Sequence, residues 1–171
     1  MQPVSAVKIE DGGLHLGMSL EQVNDRVNTA KNIVNYAIGM NNHMGSAATA
    51  DPQLMTYLMT ALQEKHLFFL DSRTIGKSVA GKIAKEQGVR SLDRHIFLDD
   101  SNELAEVQHQ FQAAIQYARK YGTAIAIGHP RPNTITVLQA GINNLPADIQ
   151  LVGMGNLWCN EKVIPPKPFI L

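Results

Sequence analysis

The sequence predicts an α/β protein in which parallel strands alternate with covering helices. Short apolar runs alternate with longer stretches whose apolar residues recur at helical spacing. The short runs are apolar at nearly every position, which is typical of strands buried on both faces of a parallel sheet. Polar residues follow successive runs about 30 residues apart, close to the length of one strand–helix–strand unit. With 171 residues and 44% hydrophobic content, the chain is long enough to form one globular domain.

The first part of the chain predicts two helices and two strands. Ser19 and Gln22 form a capping box that starts the first helix. Residues 36–40 predict a short buried strand. Asp51 then caps a second helix whose first residue is proline, and residues 67–71 predict the next buried strand.

The rest of the chain continues the alternation. The predicted elements are helix 78–87, strand 95–100, a long helix that Gly122 closes, strand 123–130, helix 134–143 and strand 149–154. Asp100 and Glu103 are expected to cap the long helix as a second capping box. Cys159 is expected to be a small buried hydrophobe. Residues 1–171 therefore predict a single domain, with residues 159–171 as an extended proline-rich tail.

Composition removes several classes of function. Fifteen basic and fifteen acidic residues cancel, so nothing favours a nucleic-acid partner. No apolar run approaches the roughly 18–20 residues of a membrane span, and the chain shows no signal peptide. No G-x-G-x-x-G or P-loop follows a strand, which weakens the alternative of an open doubly wound fold that binds a phosphorylated small molecule.

Polar side chains follow four successive predicted strands. They are Asn42-His43, Asp71-Ser72-Arg73, Asp99 and His129. Because the carboxyl ends of parallel strands lie on one side of a sheet or barrel, these side chains are expected to share one cleft. Imidazole and carboxylate groups are the ligands that zinc accepts, so a divalent metal, most readily zinc, is the expected cofactor.

Structural roles remain open for some of these residues. Asp99 could serve catalysis or local structure equally well, and Asp100 is explained as a helix cap. Arg73 could pair with a carboxylate or hold a substrate oxygen. The remaining histidines lie before strands or on a helix and are read as structural.

Four segments carry a resemblance to a known family. The segments "GMNNHMGSAAT", "LFFLDSRTIGKSVA", "RHIFLDD" and "AIAIGHPRPNTITVL" resemble the divergent polysaccharide deacetylases, the YibQ-like family distantly related to NodB-type carbohydrate esterases. The resemblance implies a distorted (β/α) barrel, usually of about seven strands, with a metal site at the strand ends. It also implies removal of N-acetyl groups from a polysaccharide or peptidoglycan-type glycan, in a periplasmic or cell-envelope setting.

The resemblance also implies roles for particular residues. His43, Asp71 and His129 look like metal ligands. His129 is also the expected acid for the leaving amine, and Asp71 looks like the site carboxylate. Asp99, whose role the residues leave open, is a further candidate for a catalytic carboxylate. Substrate or supporting contacts are expected from Asn42, Ser46, Ser72 and Arg73.

Two departures from the family pattern shape the expectations. The Asp-Asp motif that normally ends the first strand is not found, so the domain is expected to be N-terminally incomplete and inactive by itself. Ala47 stands where better-known relatives have a second histidine. The alternative function is a non-catalytic glycan-binding or envelope-organising module, which the low aromatic content of 6% does not favour.

Overall fold

The computed structural model describes residues 1–5, 8 and 11–159 of the chain. The proline-rich tail predicted beyond Cys159 lies outside the described residues. The chain divides into two compact units, of which the first is Met1–Asp93 and the second begins at Arg94. Among the described residues, no helix is long and apolar enough to cross a membrane.

The first unit is a three-stranded parallel sheet with helices between its strands. Its elements are α1 (Leu20–Ile33), β1 (Gly39–Asn41), α2 (Pro52–Glu64), β2 (Phe68–Asp71), α3 (Ala80–Glu86) and β3 (Ser91–Asp93), with a 3₁₀ turn at Ala48–Ala50. The strand order is β1-β2-β3. Gly39 pairs with Phe68, and Phe69 pairs with Ser91.

Helix caps and a buried apolar core hold the first unit together. The capping box of Ser19 and Gln22 is confirmed, and the Asp51 carboxylate accepts a hydrogen bond of 2.7 Å from the Leu54 amide. Val23 of α1 and Leu62 of α2 are fully buried in this core. Each fully buried large apolar side chain contributes about 2 kcal/mol to folding. This core therefore stabilises the packing of the helices on the sheet.

The second unit has two short parallel strands and three helices in its described part. The elements are β4 (Ile96–Phe97), α4 (Leu104–Tyr121), β5 (Ala126–Ile127), α5 (Pro132–Asn143) and α6 (Met154–Cys159). Ile96 pairs with Ala126. The predicted stop of the long helix is confirmed: Gly122 has the left-handed φ of 84° and its amide bonds the carbonyl of Ala118.

Two predictions about strands are wrong. Residues 149–153 are not a strand, and α6 starts at Met154; Leu151 is exposed and pairs with no neighbouring strand in the described residues. Residues 36–38 are also not a strand, because Tyr36 and Ile38 are exposed and β1 begins only at Gly39.

The sequence also missed one strand and misjudged two side chains. Strand β3 was overlooked because serine and aspartate disfavour strands, and pairing with β2 overrides that tendency. Glu103 stands at the cap position of α4 without a side-chain cap, so the predicted capping box with Asp100 is wrong. Cys159 is exposed, which contradicts the expected burial.

The parallel α/β class predicted from the sequence is confirmed. All strand pairs of the described residues are parallel, and helices alternate with the strands in both units. The described strands number five, in sheets of three and two.

Candidate functional site

Polar side chains gather at the carboxyl ends of the strands in both units. In the first unit, Asn42 directly follows β1 and Asp71 is the last residue of β2. In the second unit, Asp99 follows β4 by two residues, and His129 follows β5 by the same interval. Each unit therefore has its own group of polar residues at the carboxyl ends of its strands. The single cleft that the sequence predicts for both groups stays a prediction.

The Asp71 cluster comprises Asn42, Asp71, Ser72 and Ser78. The Asp71 carboxylate is fully buried, and its two oxygens accept hydrogen bonds from the Arg73 amide at 2.8 Å and from the Ser78 hydroxyl at 2.6 Å. The buried Asn42 amide group accepts from the Ser72 amide at 2.8 Å and donates to the carbonyl of Met44 at 2.9 Å. These bonds tie the loop after β1 to the loop after β2.

Both of these loops turn through left-handed backbone conformations. Met44 has φ 56° and Arg73 has φ 51°, conformations that cost a non-glycine residue about 1 kcal/mol or more. Gly45 has φ 93°, and a Cβ there would come within 2.8 Å of the Met1 Cβ, so only glycine fits this position without a shift. The hydrogen bonds of the Asp71 cluster hold these turns in place.

The other predicted residues of the first unit lie at its surface or hold its loops. His43 is exposed, and its carbonyl accepts a bond from the main-chain nitrogen of Met1. The Ser46 hydroxyl accepts a bond from the Val4 amide at 2.8 Å. Arg73 lies 3.8 Å from the Asp93 carboxylate, with the guanidinium side chain 39% exposed. Arg73 therefore pairs with a carboxylate, one of the two roles that the sequence left open.

The Asp99 cluster comprises Asp99, His129, Arg131 and Thr134. Asp99 is fully buried, and its Oδ1 lies 2.9 Å from Nδ1 of His129. Its Oδ2 accepts two further bonds, from the His129 amide at 2.7 Å and from the Thr134 hydroxyl at 2.8 Å. Nη1 of Arg131 donates to the carbonyl of Asp99 at 2.6 Å. Asp99 is thus held at both its side chain and its main chain.

The surroundings of Asp99 lower its pKa below the ordinary value. Burial opposes ionisation, but the hydrogen bonds from Thr134 and from the amide and ring of His129, with the positive charge of the protonated ring, outweigh it. Asp99 is therefore ionised at neutral pH. Because an ionised carboxylate can only accept, Nδ1 of His129 must carry the proton that is shared with it.

The imidazole of His129 has the position of a proton-transfer group. Its Nδ1 is fixed on Asp99, its side chain is 33% exposed, and its ring packs edge-on against Phe97 at 5.5 Å between centroids. Nε2 is the ring nitrogen that does not face Asp99, and the tautomer of the ring is set by the bond at Nδ1. Gly128 lets Thr134 and Leu98 pack closely beside this strand end, because a Cβ there would lie 3.0 Å from Thr134 Cγ2 and 3.3 Å from Leu98 Cβ.

An open groove of about 1040 Å³ lies in the second unit near the same strands. Leu98 and Gly128 line it, but most of its other side chains are apolar, and the paired Arg119 and Asp148 lie on its wall. It offers few hydrogen-bonding groups to a sugar. The candidate site is therefore assigned to the strand ends rather than to this groove.

The structure adds three residues that the sequence analysis passed over. Ser78, Arg131 and Thr134 each bind a buried aspartate that ends or follows a strand. Ser78 and Thr134 share a sequence signal: each is a hydroxyl residue near the start of the helix that follows a polar strand end. A buried carboxylate needs such donors, so this signal could have been used.

The residues proposed as metal ligands differ in how well they suit a metal. Each oxygen of Asp71 accepts one protein hydrogen bond, so a metal ion would have to share these oxygens with the Arg73 amide and the Ser78 hydroxyl. His129 fits better, because a metal-binding histidine commonly donates its other ring nitrogen to a carboxylate, as His129 does to Asp99. In neither unit do the described residues bring three or more His, Cys, Asp or Glu side chains together as a metal-binding group.

Comparison with known proteins identifies the relatives of this chain. The model of the divergent polysaccharide deacetylase family matches residues 1–158. An uncharacterized protein of Haemophilus influenzae is 91% identical over 171 residues, which are 100% of this chain and 61% of that protein. The uncharacterized protein YibQ of Escherichia coli is 43% identical over 170 residues, which are 98% of this chain and 53% of YibQ.

A solved structure shows the same fold. The crystal structure of the uncharacterized protein ATU2773 from Agrobacterium tumefaciens C58 matches with a TM-score of 0.76 at 22% identity, over 81% of this chain and 57% of that chain. The chain thus spans between half and two thirds of the length of the proteins that it matches.

Proposed function

Because this chain belongs to the divergent polysaccharide deacetylase family, we propose that it carries part of the active site of an enzyme that hydrolyses N-acetyl groups on a glycan. The substrate class is a polysaccharide or peptidoglycan-type glycan. The observation that supports catalysis best is the pairing of the buried, ionised Asp99 with the partly exposed imidazole of His129.

Amide hydrolysis needs a group of this kind. Water adds to the acetyl carbon, the C–N bond breaks, and the leaving nitrogen must take up a proton to depart as an amine. In this proposal Nε2 of His129 takes the proton that the attacking water loses and then donates it to the leaving nitrogen. Asp99 holds the ring through Nδ1 and stabilises the positive charge that the ring carries while it is protonated, as the carboxylate of a Ser-His-Asp triad does.

The proposal extends to a divalent metal, with zinc as the expected ion. When bound, zinc would supply Lewis-acid polarisation of the acetyl oxygen and a water of lowered pKa. Of the metal ligands predicted from the sequence, His43 and His129 carry imidazoles, which suit zinc. Zinc content measured in wild type and His43→Ala tests this part, since an unchanged content would remove His43 from the ligand set.

The finer architecture and the setting also belong to the proposal. We infer a distorted (β/α) barrel of the NodB type, to which the five described strands would contribute as one part. A cell-envelope or periplasmic location is proposed from the glycan substrate, and an oligosaccharide is the expected partner.

The test uses a chimaera in which the 171 residues of this chain replace the matching region of the Haemophilus influenzae relative. Acetate release from chitin oligosaccharides and peptidoglycan fragments is measured with added zinc. His129→Ala is expected to lower kcat by about 10²–10⁴-fold, the usual contribution of a general acid or base. His109→Ala, which removes an exposed imidazole from α4, is the matched control.

The outcomes separate this proposal from its alternative. Acetate release that falls in His129→Ala and not in His109→Ala supports the deacetylase. Tight binding of the glycan with no acetate release from wild type contradicts it, and supports the non-catalytic glycan-binding module instead.

A further inference from the structure

We propose that Thr134 is a positioning residue that sets the orientation of the Asp99 carboxylate and, through it, of the His129 imidazole. The inference deepens the proposed function and rests on it for the catalytic consequence. Its structural part stands on the contacts of the Asp99 cluster alone.

The two carboxylate oxygens of Asp99 bond different partners. Oδ2 accepts from the Thr134 hydroxyl at 2.8 Å and from the His129 amide at 2.7 Å. Oδ1 is thereby directed to the imidazole, where it meets Nδ1 at 2.9 Å. Rotation of the carboxyl group about its Cβ–Cγ bond would break both bonds at Oδ2, so these two donors fix the oxygen that faces the ring.

The two donors at Oδ2 are not equivalent. The amide of His129 is a main-chain donor in the segment that follows β5, so its bond holds the carboxylate to the strand end that carries the ring. The hydroxyl of Thr134 comes from the first turn of α5, a separate element that begins at Pro132. Thr134 therefore links Asp99, and with it the ring of His129, to helix α5.

Packing keeps Thr134 in place. The residue is only 1% exposed, and its methyl group would lie 3.0 Å from a Cβ at position 128, which is glycine. Arg131 and Asn133 anchor the same turn, with bonds to the carbonyls of Asp99 at 2.6 Å and of Asn102 at 2.7 Å. The start of α5 is thus joined to the segment after β4 at three points, of which Thr134 alone reaches the carboxylate side chain.

Loss of the hydroxyl should affect the chemical step more than glycan binding. Without it the carboxylate can rotate, and the imidazole spends part of its time in other orientations. We expect Thr134→Val to lower kcat about tenfold, the effect of one hydrogen bond to a charged group, while KM changes less than about twofold. Thr134→Ser, which restores the hydroxyl, should recover most of kcat.

The experiment combines two readouts on the same variants. In the 171-residue chain at neutral pH, NMR follows the chemical shift of the Asp99 carboxyl carbon and the ¹⁵N signals of the His129 ring, which report the proton on Nδ1. In the chimaera, kcat and KM are measured for acetate release. Thr136→Val is the matched control, because Thr136 is an exposed threonine of α5 whose hydroxyl bonds only the carbonyl of Pro132 in the described contacts.

The expected result is specific to one hydroxyl. In Thr134→Val the chemical shift of the Asp99 carboxyl carbon changes, since a hydrogen bond to Oδ2 is lost, and the Nδ1 proton signal of His129 weakens. Thr134→Ser and Thr136→Val should resemble wild type in both readouts. NMR spectra of Thr134→Val that match those of wild type would overturn the inference.

The two proposals fail in different ways. If the chimaera releases no acetate, the deacetylase function fails, and the NMR comparison still decides whether Thr134 orients the pair. If acetate is released and Thr134→Val has the kcat of wild type, the positioning role fails and the deacetylase function stands.

Discussion

The Asp71 cluster and the Asp99 cluster share a buried aspartate and a hydroxyl that bonds it, and they differ in the partner of the second carboxylate oxygen. In each, a fully buried aspartate lies at the carboxyl end of a strand, and a hydroxyl near the start of the following helix bonds one of its oxygens. The other oxygen of Asp71 bonds the amide of Arg73, two residues along the same loop. The other oxygen of Asp99 bonds a side chain from a different strand end, the imidazole of His129.

This difference shows that the second partner decides what a strand-end carboxylate does. Both carboxylate oxygens of Asp71 accept hydrogen bonds from its own loop, where they stabilise the left-handed turn at Arg73. Asp99 orients a group that can transfer a proton and that solvent reaches. We therefore interpret the Asp71 cluster as a structural support of the strand end and the Asp99 cluster as the site of chemistry.

The largest expected effect on stability is in the Asp71 cluster. Asp71→Ala leaves the Arg73 amide and the Ser78 hydroxyl without their buried acceptor and should lower the free energy of unfolding by about 2–4 kcal/mol. Urea unfolding of the 171-residue chain measures it. Asp93→Ala is the control, because its carboxylate is 48% exposed and its ion pair with Arg73 contributes less than about 1 kcal/mol. Equal losses in the two variants would remove the structural role of Asp71.

A smaller loss is expected from the amide that links the two loops. Asn42→Ala takes the acceptor from the Ser72 amide and a donor from the carbonyl of Met44, at a cost of about 1–3 kcal/mol in unfolding free energy. The adjacent Asn41 is exposed and bonds only the Ser72 hydroxyl at 3.2 Å in the described contacts, so Asn41→Ala should cost about 0.5 kcal/mol. Thermal unfolding of both variants makes the comparison. A greater loss from Asn41→Ala would contradict the assigned link.

The smallest expected effect is a dependence of stability on pH that comes from Asp99. Its pKa is lower in the folded state than the ordinary value of 3.8, so it stabilises the fold above that value. This stabilisation is lost as the pH falls through the folded pKa. Urea unfolding between about pH 6 and pH 3 should therefore show a shallower decline for Asp99→Asn than for wild type. Parallel declines would show that the contacts of Asp99 do not favour its ionised form.

Salt distinguishes Asp99 from the other aspartate with a lowered pKa. Asp148 has a lowered pKa because Arg119 bonds and attracts it, and both side chains are well exposed. Its contribution should weaken at about 1 M salt, where the charges of exposed pairs are screened. The contribution of the buried Asp99 should persist at that salt concentration.

The sequence predicted the parts of the fold that depend on local chemistry. Ser19 and Asp51 cap their helices as expected, and Gly122 ends α4, because each of these effects involves only neighbouring residues. The strands were less predictable. Residues 149–153 have the composition of a strand but do not form one. A strand also needs a neighbouring strand to pair with, and the local sequence does not determine that partner.

The candidate site was predicted in its positions and less well in its roles. The spacing of polar residues predicts one cleft for all four strand ends, and within the units the structure brings Asn42 beside Ser72 and Asp99 beside His129. The spacing gives no reason to distinguish Asp71 from Asp99. They differ in the partner of one carboxylate oxygen, and the conformation of the loops decides that partner. The hydroxyls of Ser78 and Thr134 were passed over for the same reason: a side chain that supports a carboxylate is recognised only once the helix start is seen to face it.

The most direct test compares isosteric changes at the two carboxylates. Asp99→Asn and Asp71→Asn are made in the chimaera, and kcat/KM for acetate release is measured per folded molecule, with the folded fraction taken from unfolding curves. The proposed roles predict a kcat/KM for Asp99→Asn at least about tenfold below that of Asp71→Asn, because only Asp99 orients the proton-transferring imidazole. Equal values in the two variants, or a lower value in Asp71→Asn, would contradict the division between a structural and a chemical carboxylate.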